Sequence, residues 1–198
     1  MLSICVTVKN RFPLFRNSVE SICASARQLN VPVELIVADW HSTDCSATWI
    51  KDECPGLDTT VITMPDEAFS RGRGLNAAAA AAKYTNLFFS DADMLLHPDI
   101  FWHAISAMEA GKAYFPICWA YATPERTGGR YRTGGKGIVA LSKILYLTAG
   151  KWDEFTQWGS EDLRFFERVS QLAPIARPME IQLKHQWHPT TILKGTPK

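Results

Sequence analysis

The run Leu87-Phe88-Phe89-Ser90 leads straight into Asp91-Ala92-Asp93-Met94. An apolar strand therefore ends in two carboxylates spaced i, i+2. Side chains alternate along a strand, so an extended backbone points both the same way. In α/β sheets the C-terminal ends of strands are where ligands gather. Two hard oxygen ligands on one side suit a Mg²⁺ or Mn²⁺ that also holds phosphate oxygens. A metal–diphosphate site is the first expectation. The competing one is a surface turn in which an Asp caps the helix opened by Pro98.

The rest of the first half alternates strand and helix. Leu2 to Val8 is a strand, followed by a helix from about Pro13 to Leu29, with Pro13 where a missing N–H is harmless. Val33 to Ala38 is a second strand, and Ser42 or Thr43 can cap a helix through Lys51. Thr59 to Thr63 is a third strand, and Gly72 to Lys83 a helix containing the run Ala77 to Ala82. Ala has the best helix propensity and permits close packing on a sheet. The strand Leu87 to Ser90 and a helix from Pro98 to about Glu109 complete the half. This alternation predicts an α/β fold with a mainly parallel central sheet.

The second half changes character. Tyr114 to Cys118 reads as a strand, Ala120 to Gly135 as a loop, and Ile138 to Leu141 as a short apolar segment. Ser142 can cap a helix to about Thr148 that Gly150 stops. Ser160 can cap a helix from Glu161 to about Leu172, and Pro178 to Leu183 is a last strand leading to His185 and His188. No linker or repeat interrupts the chain, so residues 1–198 are expected to form one domain.

Composition excludes several classes. A net charge of +1 on 198 residues does not favour nucleic acid or anionic membrane. No apolar run approaches the roughly 20 residues of a membrane span. Met1 to Val8 lacks a basic leader and a cleavage site, so it reads as a strand rather than a signal peptide. Five cysteines without a C-x-x-C pair are expected to be reduced thiols in a cytoplasmic protein.

Four further constellations carry chemistry. Thr7, Lys9, Asn10 and Arg11 follow the first strand and Asp39 the second, where polar groups can read a nucleoside. Phe69-Ser70-Arg71-Gly72-Arg73-Gly74 opens a helix whose N-terminus can hold an anion. Trp158-Gly159-Ser160-Glu161-Asp162 sets paired carboxylates beside a Trp, suited either to helix capping or to sugar recognition and proton abstraction. His185 and His188, at i, i+3 around Trp187, can flank a metal.

In this order, Asp39-x-x-Ser42-Thr43-Asp44, Phe69-Ser70-Arg71-Gly72-Arg73 and Asp91-x-Asp93 resemble the GT-A (Rossmann-like) fold of glycosyltransferase family 2. Thr133-Gly134-Gly135, Ala140-Leu141-Ser142-Lys143 and Trp158-Gly159-Ser160-Glu161-Asp162 are similar to the C-terminal part of β-1,4-galactosyltransferases. The resemblance implies a nucleotide-sugar-binding half over about 1–97 and an acceptor-side half over about 98–198. It implies a UDP-sugar donor, a glycan acceptor, and Mn²⁺ or Mg²⁺. It assigns Asp39 to the uracil, Arg71 to the diphosphate and Asp91 to ribose or sugar. Thr7, Lys9, Asn10, Arg11, Ala92 and Gly135 complete the donor contacts. Asp93 and His188 are the implied metal ligands, with His185 where galactosyltransferases place a methionine ligand. Asp162 matches the catalytic base, and Glu161 and Trp158 match acceptor-binding positions. The expected activity is metal-dependent, inverting sugar transfer. The alternatives are a nucleotidyltransferase, or a non-catalytic module that binds carbohydrate or nucleotide sugar. The former usually carries a Gly-rich loop after strand one, whereas Lys9-Asn10-Arg11-Phe12-Pro13 has no glycine.

Overall fold

The computed structural model describes residues 1–44, 49–50, 54–156 and 159–189. Strands β1 (Leu2–Val8), β2 (Val33–Asp39), β3 (Asp58–Thr63) and β4 (Asn86–Asp91) lie in the order β3-β2-β1-β4, all parallel. Leu2, Ile4, Val6 and Val8 of β1 pack on one side with Phe15, Val19 and Ile22 of the Phe12–Ala26 helix, and with Ile100 and Phe101 of the Pro98–Glu109 helix. Cys5 points to the other side, with Leu75, Ala78 and Ala79 of the Arg71–Ala81 helix. A strand covered by helices on both faces reads as an unbroken apolar run, which is why Leu2 to Val8 was legible. Each large core side chain contributes about 1.5–3 kcal/mol by leaving water.

β5 (Met94–Leu96) follows β4 after a turn at Ala92 and Asp93. The strand expected from Tyr114 to Cys118 is two strands, β6 (Ala113–Tyr114) and β7 (Ile117–Tyr121). Pro116 lies between them; without an N–H it cannot continue a ladder. The expected loop over 120–135 holds the end of β7 and a short β8 (Gly129–Tyr131). Its Gly- and Arg-rich composition hid a hairpin stabilised across strands by the Trp119–Tyr131 edge contact, 5.2 Å between ring centroids. β9 (Val139–Ser142), β10 (Ile175–Ala176) and β11 (Met179–His185) complete the set. β9 runs antiparallel beside β4 and extends the first sheet to seven strands, β10-β6-β9-β4-β1-β2-β3. The second sheet has the order β5-β11-β7-β8.

Caps divide into kept and lost. Ser142 accepts from the Leu145 N–H at 3.2 Å and caps the Lys143–Thr148 helix as expected. Ser160 does not cap the Glu161–Ser170 helix: it sits at φ 76° and makes no side-chain bond to the helix N–H groups. The left-handed turn that begins at Gly159 (φ 99°) continues through Ser160 and swings its hydroxyl away. The helix expected from Ser42 or Thr43 to Lys51 falls partly on residues 45–48 and 51, outside the described residues. Ser42 and Thr43 bind Asn10: the Asn10 N–H donates to Ser42 Oγ at 3.0 Å, and the Thr43 N–H donates to Asn10 Oδ1 at 2.8 Å.

Cys23 and Cys54 form a disulfide with Cα atoms 6.2 Å apart, which corrects the expectation of five reduced thiols. The pair is separated by 31 residues, a distance that no spacing rule flags. The bridge removes the ground on which a reducing compartment was expected. Among the described residues Cys5 and Cys118 remain free and buried. No helix among the described residues is long and apolar enough to cross a membrane.

Gly72 and Gly74 allow the Arg71–Ala81 helix to approach the chain closely. A Cβ on Gly74 would lie 2.1 Å from Thr7 Oγ1 and 2.9 Å from Trp40 Nε1; one on Gly72 would lie 2.0 Å from the Asp153 carbonyl oxygen. Gly74→Ala is expected to destabilise the protein by about 1–3 kcal/mol, because overpacking outweighs the helix propensity gained. Gly134→Ala, where a Cβ meets nothing within 4 Å, is the neutral control. Thermal denaturation of both variants checks this, and an unchanged Tm for Gly74→Ala refutes it. Thiol titration of the denatured, unreduced chain is expected to find at most three thiols, against five after reduction.

Candidate active site

The turn after β4 sets Asp93 against the end of β11. Antiparallel pairing puts Met94 opposite His185, and the Gln186 N–H donates to the Asp93 carbonyl at 3.0 Å. Gln186 is itself fixed to the first helix: its Nε2 donates to the Leu14 carbonyl at 2.8 Å, and Asn17 Nδ2 donates to its Oε1 at 2.7 Å. His188 follows this anchored segment. His188 Nε2 lies 3.2 Å and His185 Nε2 3.5 Å from Asp93 Oδ2. Ligand atoms of Asp93, His185 and His188 all fall within 4.8 Å of one another. Asp93 Oδ1 is buried without a hydrogen-bond partner.

The electrostatics follow from this packing. Burial works against an ionised Asp93, but the His188 hydrogen bond and the charges of His185, His188 and Arg11 outweigh it, so its carboxyl is held below the usual range. Burial lowers the His185 imidazole, with the Asp93 charge opposing, which favours the neutral form that ligates metals. The Asp93 hydrogen bond raises His188. One carboxylate and two imidazoles with a spare buried oxygen form a donor set that fits a divalent metal.

Asp91 is not part of this cluster. β4 ends at Asp91 and a turn intervenes, so strand alternation does not carry through to Asp93. Asp91 Oδ1 instead accepts from Arg71 Nε at 2.7 Å. Arg71 Nη2 donates to the Gly137 carbonyl at 2.8 Å, Nη1 lies 3.8 Å from Glu161 Oε1, and the guanidinium sits 5.0 Å from the Trp152 ring centroid. Burial would lower Arg71, but Asp91 and Glu161 raise it further. Arg71 Nη1 and Glu161 Oε2 are buried without hydrogen-bond partners. Gly137 was missed in the sequence: a Cβ there would meet Arg71 Nη2 at 2.8 Å and Asp91 Oδ2 at 3.3 Å. Gly135, the glycine singled out instead, lies two residues earlier in the same loop, its carbonyl accepting from Arg177 Nη2 at 2.9 Å.

Glu161 and Asp162 open the Glu161–Ser170 helix. Asp162 Oδ1 accepts from the Leu163 N–H at 2.8 Å, and Oδ2 from the Lys136 N–H at 3.1 Å. The second bond joins the helix start to the loop carrying Gly137. Trp158 lies outside the described residues.

The strand-end residues divide similarly. Asp39 is buried, its carboxylate oxygens 3.3 and 3.4 Å from the Ser42 N–H. Thr7 Oγ1 donates to the Ala38 carbonyl at 3.1 Å and accepts from Trp40 Nε1 at 3.0 Å. Asn10, at φ 51°, holds the Ser42–Thr43 backbone. Arg11 precedes the first helix, close enough for its charge to act on Asp93 and His188. Lys9 is partly exposed, and Ala92 is buried between the two aspartates. Ser70 caps its helix by accepting from the Arg73 N–H at 3.3 Å, and Arg73 pairs with Glu67, so the arginine that turns inward is Arg71.

Comparison with known proteins gives the family and the fold. Residues 3–169 match the family model of glycosyl transferase family 2. Chondroitin sulfate N-acetylgalactosaminyltransferase 2 of Mus musculus is 26% identical over 154 residues, covering 65% of this chain, and the chain spans 28% of that relative's length. The Homo sapiens protein of the same name matches equally, at 26% over 154 residues. Among solved structures, S. aureus TarS residues 1–349 in complex with UDP-GlcNAc superposes with a TM-score of 0.79 at 14% identity, covering 95% of this chain and 59% of that one. The mannosyltransferase PcManGT from Pyrobaculum calidifontis, in complex with GDP-Man and Mn²⁺, gives 0.72 at 17% identity over 96% and 58%. The seven-stranded sheet is thus of the GT-A type, and with the family model spanning β1 to the Glu161–Ser170 helix, the chain belongs to glycosyl transferase family 2.

Proposed function

We propose that the chain is a metal-dependent, inverting glycosyltransferase that moves a sugar from a nucleoside-diphosphate donor, a UDP-sugar, onto a hydroxyl of a glycan acceptor. One observation carries the reading. Arg71 joins the Asp91–Asp93 turn to the Glu161–Asp162 helix start, so the metal-fitting cluster and a pair of carboxylates share one site. TarS is seen with UDP-GlcNAc and PcManGT with GDP-Man and Mn²⁺, which supports the nucleotide-sugar and metal parts of the reading. The second half, residues 98–198, is read as the acceptor side of one domain over 1–198, as in β-1,4-galactosyltransferases.

In this reading Asp93, His185 and His188 hold the divalent ion, which when bound neutralises charge on the leaving diphosphate. Thr7, Lys9, Asn10, Arg11 and Asp39 line the nucleoside end, and Arg71 with Asp91, Ala92 and Gly135 the diphosphate–sugar end. Asp162 takes the acceptor proton as the acceptor oxygen bonds to the anomeric carbon and the carbon–diphosphate bond breaks. Backbone N–H groups on both Asp162 oxygens fix its direction without supplying a competing cation. Glu161 and Trp158 orient the acceptor. The nucleotidyltransferase alternative lacks its glycine loop, and a non-catalytic module predicts binding of the donor without its hydrolysis.

Asp93→Ala is expected to abolish Mn²⁺-dependent UDP binding while circular dichroism stays native; calorimetry with unchanged Mn²⁺ affinity would sink the metal assignment. Asp162→Asn is expected to lower transfer about 10²–10⁴-fold, the usual cost of a lost general base. An Asn amide can accept only one of the two N–H bonds, so stability should also fall by about 1 kcal/mol. Glu161→Gln is expected mainly to weaken acceptor binding. Transfer rates that collapse for Glu161→Gln and stay near wild type for Asp162→Asn would reverse the two roles.

A further inference from the structure

The second sheet carries a charge pattern that sugar transfer as described does not use. Residues 117–137 hold four cations, Arg126, Arg130, Arg132 and Lys136, against one carboxylate, Glu125, in a chain whose net charge is only +1. Four surface cations outside this stretch are neutralised locally: Arg16 pairs with Glu20, Arg73 with Glu67, Lys83 with Asp58 and Arg168 with Asp153. Among the described residues no carboxylate lies within ion-pair distance of Arg126, Arg130 or Arg132, and all three are exposed.

Strand register says where two of these cations lie. His185 is paired with Ala120, and Ala120 with Arg130. Residues opposite one another across a sheet share a face, so Arg130 is on the face of the metal-fitting histidine, two strands away. Arg132 follows at i+2; its N–H donates to the Cys118 carbonyl at 2.9 Å, and its charge is felt at both Cys118 and His185. The opposite face is taken by Trp119, Tyr121 and Tyr131, with Lys184 Nζ 5.7 Å from the Tyr121 ring centroid. The hairpin is held in shape. Thr123 and Thr127 hydroxyls lie 2.8 Å apart, and Gly129 presses so closely on Trp119 Nε1 that a Cβ would be 2.4 Å away.

We propose that Arg130 and Arg132 select an anionic acceptor, a glycan chain bearing carboxylate or phosphate groups, and hold it across the second sheet with its hydroxyl end at Asp162. Guanidinium forks match the oxygen pairs of carboxylate and phosphate, and binding by exposed charges weakens with salt. The inference rests on the transferase reading above and names its acceptor class.

The test measures binding to the full chain with UDP and Mn²⁺ present. Three probes are titrated: a tetrasaccharide alternating hexuronic acid and N-acetylhexosamine, the same tetrasaccharide with its carboxyls reduced, and a short polyol-phosphate oligomer. At least one anionic probe is expected to bind about tenfold or more tighter than the neutral one, with the preference falling as salt rises. Which anionic probe wins tells carboxylate from phosphate. Arg130→Gln/Arg132→Gln is expected to erase the preference while UDP affinity and Tm stay at wild-type values. Equal binding of all three probes, an anionic preference that survives the double substitution, or a loss of UDP affinity in it overturns the inference, the last by moving the arginines to the donor. UDP with Mn²⁺ is also titrated alone. Its failure to bind overturns the transferase reading, whereas UDP binding with no anionic preference overturns only the acceptor class.

Discussion

A largely buried guanidinium holds the site together. Arg71 reaches the end of β4 through Asp91, the loop before β9 through the Gly137 carbonyl, and the start of the Glu161–Ser170 helix through Glu161. An ion taken out of water costs several kcal/mol unless partners replace its hydration. Two carboxylates, a carbonyl and the Trp152 face supply that replacement only when all three segments are in place. The dependence runs both ways, since removing one partner leaves the guanidinium without part of what replaces its hydration. The close approach of its helix, enforced at Gly72 and Gly74, is part of the same constraint.

The site lies where the two sheets diverge. β4 belongs to the first sheet and β5 to the second, and the turn between them carries Asp93. β11 returns beside β5 and delivers His185 and His188 to that turn. A carboxylate and two imidazoles from segments some ninety residues apart meet because one antiparallel pairing, Met94 with His185, sets their register. A slip of one residue would turn His185 to the opposite face. Gln186, bound to Leu14 and Asn17 of the first helix, guards against that slip. The second sheet therefore carries His185 of the metal-fitting cluster and, through Arg130 and Arg132, a basic continuation of the same face.

Period and composition along the chain were enough to place β1 to β4 and several helix ends. β1, β2 and β4 are buried on both faces, so they read as continuous apolar runs, and Pro13, Ser142 and Gly150 mark helix ends by local chemistry alone. Asp93, His185 and His188 were legible as candidates because metal ligands come from few residue types. What their spacing could not say is that Asp91 leaves the cluster for Arg71, since that depends on β4 ending one turn before Asp93. Tertiary structure alone decided the remaining features. The β7–β8 hairpin depends on Trp119 meeting Tyr131, the Cys23–Cys54 bridge on a helix packing near a distant loop, and the failed Ser160 cap on a left-handed turn. Gly137 matters only because Arg71 lies against it. Each is a contact between residues far apart in sequence, or a backbone state that such contacts impose, and neither leaves a periodic trace in the chain.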